Sequence, residues 1–131
     1  MSASRRMQIA WLKKPEPHDY PAAASYLSLI YDDRTTKALV ARLKRARVVN
    51  YKSKDIFRAS GLPLLPLSNA HVKADERRIV ARQSLSPLLL VRDPANGRVI
   101  IADGYHRLCA VYAFDEDVVV PCKIVGRLVV E

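Results

Sequence analysis

The sequence predicts an α/β (α+β) domain, a small mixed sheet with flanking helices and an N-terminal helical extension. Three observations lead there. Two helical hydrophobic patterns open the ordered part of the chain, at residues 19–31 and 32–45. Short β-rich apolar runs then alternate with further helical segments, the signature of layered helices and strands rather than of a bundle or a sandwich. The chain has 131 residues, 50% hydrophobic and 27% charged, enough for one core and short of a second. The expected organisation is a single domain, with an arm and helical extension over residues 1–47 and a core over residues 48–131.

Residues 1–19 mix basic residues with Pro15 and Pro17 and keep no period, so they read as an irregular arm that Trp11 anchors. Asp19 is placed to cap a first helix with Pro21 in its opening turn; Ala23, Tyr26, Leu27, Ile30 and Tyr31 follow helical spacing to its end. Asp32 or Asp33 restarts the chain into a second helix, with Thr36, Leu39, Val40 and Leu43 inward and Arg34, Lys37, Lys44 and Arg45 outward. Val48 to Tyr51 reads as a strand, and Ser53 as the cap of a brief helix that Gly61 ends. A polar helix from about Asn69 to Gln83 points Val72, Ile79 and Val80 inward. Leu88 to Val91 and Val99 to Ile101 are strands joined through Asn96-Gly97, a hairpin signal. Tyr105 to Phe114 is a helix with Leu108, Val111 and Tyr112 inward, and Val118 to Val125 a last strand whose Pro121 suits a sheet edge or a strand's first residue.

Lys and Arg number 22 against 13 Asp and Glu, a net charge of +9, which favours polyanionic or phosphorylated partners without choosing among them. Cys109 and Cys122 fit no metal-ligand spacing and read as buried, reduced thiols. The apolar run Met7 to Leu12 is too short for a signal-peptide core, and nothing approaches a membrane span, so the expected location is the cytoplasm with no membrane partner.

The chemistry concentrates in Ile101-Ala102-Asp103-Gly104-Tyr105-His106-Arg107-Leu108, where a buried strand passes through a glycine into a helix. Unpaired N–H groups and the helix dipole favour an anion there, Gly104 admits a ligand close to the backbone, and His106 and Arg107 add donors. Arg107 can grip phosphate oxygens in bidentate fashion. The spacing alone equally allows Asp103 to cap the helix, His106 to bond the backbone, and Arg107 to pair with Asp115, Glu116 or Asp117. At a second strand-to-helix junction, Lys52, Lys54 and Arg58 could supply further phosphate contacts, and Asp55 with Asp103 could hold a magnesium ion. A capped helix with a solvated face is the plainer reading of that junction. His18 and His71 read as surface histidines, and the basic run Arg42 to Arg47 as a solvated face or a nucleic-acid track.

Residues 87–91, the run from Val99 to Ala110, and Val120-Pro121-Cys122-Lys123-Ile124-Val125 resemble the superfamily of the ParB N-terminal domain and sulfiredoxin. The shared pattern is a strand, a hairpin, a G-x-x-R or G-x-H-R turn opening a helix, and a strand near a proline. The resemblance covers roughly residues 48–125 and is most specific in the last forty. It implies phosphate or nucleotide binding at Gly104, Tyr105, His106 and Arg107. The branches diverge beyond that. Sulfiredoxins carry a nucleophilic cysteine where Tyr105 stands, so their reductase activity is not implied. ParB proteins bind a cytidine nucleotide at this turn. Free-serine kinases of this fold read D-G-H-H-R, and their Asp, implicated in phosphoryl transfer, matches Asp103. The expectation is therefore a domain that binds ATP, ADP or CTP with Mg2+, or another phosphorylated small molecule, with a small-molecule kinase activity open. The rival expectation is a DNA- or RNA-binding accessory protein driven by the positive charge.

Overall fold

The computed structural model describes residues 8–126, so the arm is placed only from Gln8 onward. Five α-helices and four strands follow one another as α1 (Asp19–Leu27), α2 (Asp33–Arg45), β1 (Val49–Lys52), α3 (Ser53–Ser60), α4 (Ala70–Val80), β2 (Leu88–Asp93), β3 (Arg98–Asp103), α5 (Tyr105–Phe114) and β4 (Val119–Val125). The fold is mixed α+β. The sheet order is β1-β4-β2-β3, with β2 and β4 parallel and both outer pairs antiparallel, so it is a mixed sheet as the sequence predicts.

Strand β2 explains the layering. Leu88 and Leu90 join a core with Ile56 and Phe57 of α3, Val72 and Ile79 of α4 and Leu108 and Val111 of α5. Leu89 and Val91, on the opposite face, join Ala23 and Leu27 of α1 and Leu39 and Leu43 of α2. A strand covered on both faces needs an unbroken apolar run, and Leu88-Leu89-Leu90-Val91 is one. The arm belongs to the first core: Ile9 is buried, Trp11 bridges Leu85, and Leu12 N donates to the Leu85 carbonyl at 2.8 Å. The hairpin between β2 and β3 turns at Pro94–Asn96 and Gly97, whose φ of 63° suits glycine.

Several local expectations are corrected. Asp19 does not cap α1 but is its first residue, buried, with its carboxylate accepting from Glu16 N and the Ser86 hydroxyl. The helix ends at Leu27 rather than Tyr31, and Tyr26 and Ile30 are exposed. Ser53 does not cap α3: its buried hydroxyl donates to the carbonyls of Asp115 and Glu116, tying α3 to the turn after α5. Val80 is exposed, because α4 packs with Val72, Asp75 and Ile79 inward. Strand β4 is interior, yet it carries Pro121. Register explains this. Ser53 N donates to Val118 O, and counting along the antiparallel ladder puts Asn50–Pro121 at a pair that exchanges no hydrogen bonds. On the other side, pairing with β2 begins only at Cys122.

Candidate functional site

The left-handed Gly104, φ 108°, turns the end of β3 into α5. A Cβ there would lie 2.7 Å from Leu88 Cγ and 2.9 Å from an Arg107 terminal nitrogen. Glycine is therefore required twice, for its dihedral angle and because the Arg107 side chain folds back across it. Folded back, the guanidinium donates to Asp103 Oδ2 at 2.8 Å and to the Pro87 carbonyl at 3.4 Å. This settles the alternatives left open by spacing: Asp103 caps nothing, and Arg107 pairs with Asp103 rather than with the acidic run at 115–117. The Arg107 Nε is buried with no partner.

Arg107 lines a cleft of about 310 Å³ together with Glu16, His18, Arg78, Gln83, Ser84, Leu85 and Ser86. Its wall is largely polar and combines two guanidiniums, an imidazole, two hydroxyls, the Gln83 amide and the Glu16 carboxylate. Beneath it Asp75, buried on α4, pairs with Arg78 at 3.2 Å. Burial pushes the Asp75 carboxyl above its ordinary range, against the pull of Arg107, Arg78, His106 and His71. Burial likewise raises Asp103, opposed first by Arg107. A carboxyl raised by burial and held beside an arginine can hold or release a proton near a ligand.

His106 does not bond the backbone but packs its ring at a tilt against His71 of α4, ring centroids 4.8 Å apart. Burial first, and then His71, pull its imidazole below the ordinary value. The Tyr105 hydroxyl donates to the Pro63 carbonyl. Tyr105 carries no thiol, and the Cys109 thiol is fully buried and pushed up by that burial, so neither offers the reactive thiolate that sulfiredoxin chemistry needs.

The second junction does not join this cleft. Lys54 pairs with Asp117 at 2.6 Å and, with Arg58, lines a separate cavity beside Phe57, Leu64, Tyr112 and Glu116. Lys52 is exposed at the end of β1. Asp55 lines a third cavity with Tyr51 and Arg92, whereas Asp103 faces Arg107, so the two carboxylates proposed for a metal open onto different surroundings. Among the described residues, the set whose ligand atoms converge is Glu16, His18 and Asp19, all within 4.8 Å of one another. His18 Nε2 lies 3.0 Å from Glu16 and 3.4 Å from Asp19.

Sequence reasoning missed Arg78, Asp75, Glu16, Asp19 and the two serines, and left His18 and His71 as surface groups. Both histidines are indeed exposed, but each touches the site. The available signal was the titratable run Glu16-Pro17-His18-Asp19 inside an otherwise basic arm. Comparison with models of known families, with curated proteins and with solved structures finds no match.

Proposed function

We propose that the chain is a ParB/sulfiredoxin-like domain that binds a nucleotide or another phosphorylated small molecule, with its phosphate in the cleft between Arg107 and Arg78. The observation that carries this reading is Arg107 itself, which is fixed by Asp103, opens onto a polar cleft, and keeps a buried Nε without a partner. An unsatisfied buried donor costs about 1–3 kcal/mol, and a phosphate oxygen reaching it would relieve that cost. Arg78 faces the same anion, and the hydroxyls of Ser84 and Ser86 add neutral donors.

A divalent cation arriving with the nucleotide fits Glu16, His18 and Asp19 at the cleft wall better than it fits Asp103 and Asp55. In a kinase reading, Asp103 accepts the proton of an acceptor hydroxyl as that oxygen attacks the terminal phosphoryl group, and the leaving diphosphate stays against the arginines. The buried, free thiols of Cys109 and Cys122 support a reducing, cytoplasmic setting, where nucleotides are plentiful. Among the described residues no helix is long and apolar enough to cross a membrane.

The test is thermal denaturation of the wild type and of Arg107→Ala with ATP, ADP, CTP and inorganic phosphate, each with and without magnesium. At about 100 times its dissociation constant a ligand adds about 2.7 kcal/mol, a rise of several degrees for a domain of this size. The wild type should show that rise with at least one nucleotide, and Arg107→Ala should not. Equal melting temperatures with and without every ligand would overturn the reading.

A further inference from the structure

Lys14 of the arm, Lys44 of α2 and Lys123 of β4 surround a cavity of about 380 Å³ completed by Pro15, Pro17 and Tyr20. It lies across the arm from the Arg107 cleft. Glu16 and His18 face that cleft, whereas Pro15 and Pro17 face this cavity, so neighbouring residues of one segment line two separate sites.

Lys123 is only 7% exposed. Its ammonium donates to the Lys44 carbonyl at 2.9 Å and stands 5.6 Å from the centre of the Tyr20 ring, with the Lys44 ammonium 5.7 Å from the same ring. The carbonyl is one of the last in α2, so Lys123 also serves that helix's negative end. A carbonyl and a ring face satisfy part of a buried ammonium, but neither neutralises it. Among the described residues, none of the three lysines pairs with a carboxylate. Three like charges thus converge on one concavity, from the arm, α2 and β4, with no carboxylate of the described residues paired to any of them.

We propose that this cavity is a second anion site and takes a phosphate group. A multiply charged, compact anion answers three ammoniums better than a single carboxylate does, and lysine binds phosphate as a point charge without demanding a planar fork. Tyr20 and the two prolines supply a dry wall that strengthens the attraction. Arg45 and Arg47, both exposed, follow Lys44 in the chain, so the positive surface continues past the cavity. The phosphate can therefore come from a small phosphorylated molecule or from the backbone of a nucleic acid, and the two are separable.

The experiment titrates inorganic pyrophosphate by calorimetry and a short labelled DNA duplex by fluorescence anisotropy across a salt series. Wild type, Lys14→Ala/Lys44→Ala and Arg107→Ala are compared. Both replaced lysines are exposed, and a matched melting curve verifies that the double variant is folded. The double variant should bind pyrophosphate at least about tenfold more weakly, a loss of about 1.4 kcal/mol or more. Arg107→Ala should retain this lysine-dependent binding, which keeps the outcome independent of the proposed nucleotide cleft. If the duplex also binds, and the double variant reduces its log–log salt slope by about two, one for each lysine, the source is a nucleic-acid backbone. Lysine-dependent binding of pyrophosphate alone assigns a small molecule. Binding of neither probe, or binding that the lysine substitutions leave unchanged, overturns the site.

Discussion

Gly104 is where backbone conformation and ligand chemistry meet in one residue. Its positive φ and the 2.7 Å approach of Leu88 Cγ to any added Cβ make it intolerant of substitution, and the 2.9 Å approach of Arg107 couples that intolerance to the side chain of the proposed site. Gly104→Ala must both strain the backbone, at about 1–3 kcal/mol, and displace buried Leu88, at a comparable overpacking cost. We expect a loss of about 2–4 kcal/mol in denaturant unfolding, and phosphate binding weaker than the stability loss alone explains, because Arg107 is pushed off Asp103. A variant with wild-type midpoint and wild-type ligand binding would show that the turn relaxes freely. The sequence made this residue legible, since a glycine between a buried strand and a helix has few other uses. It did not reveal the partner of Arg107, because Asp103 and the 115–117 acids all lie within reach along the chain. Asp75 carries no signal on its polar helix, because its burial comes only with the packing of α4, while its partner Arg78 stays exposed.

At the scale of elements, α4 and α5 are joined on the site side by His71 and His106, packed at a tilt with centroids 4.8 Å apart beside the buried Asp75. The His106 imidazole is held below its ordinary value, by burial first and by His71 second. A histidine with a lowered folded pKa binds its proton more readily when unfolded. Stability is therefore fully present above about pH 6.5 and declines as the pH falls below it. Unfolding measured from pH 7.5 down to 5 should show that decline, and His106→Gln should remove its part of it. An identical slope in the variant would place the dependence elsewhere. The elements themselves were largely readable: periodicity found all five helices and the four strands. The errors share one cause, a tertiary partner taking over a local signal. Ser53 and Asp19 look like caps, yet one bonds the carbonyls of Asp115 and Glu116 and the other accepts from Ser86. Pro121 argues for an edge strand, and the ladder instead places it where β1 asks for no donor.

For the whole molecule, one four-stranded sheet serves two cores, and β2 is the shared wall, with Leu88 and Leu90 on one side and Leu89 and Val91 on the other. Neither helical layer has another surface to bury, so neither core should outlast the other. Leu89→Ala and Leu90→Ala therefore should each cost about 2–5 kcal/mol, and each should lower the stability of the whole molecule rather than of one layer. Trp11, the only tryptophan, reports on this directly. It sits in the arm, bridged to Leu85, with Leu85 N donating to Ala10 O at 2.8 Å, and it packs against the core of α3, α4 and α5. Leu89 faces the other core, yet its truncation should shift the Trp11 fluorescence transition and the far-UV circular dichroism transition together, with one midpoint. If the fluorescence midpoint stays at the wild-type value while the dichroism midpoint falls, the α1–α2 layer melts by itself and the two cores are separate cooperative units. Coincidence has a consequence for both proposed anion sites, because the arm that bears Lys14 on one side and Glu16 and His18 on the other is then as stable as the sheet. A phosphate bound in either cavity would raise the single midpoint, and its two sets of contacts could be told apart only by substitution at Arg107 or at the lysines.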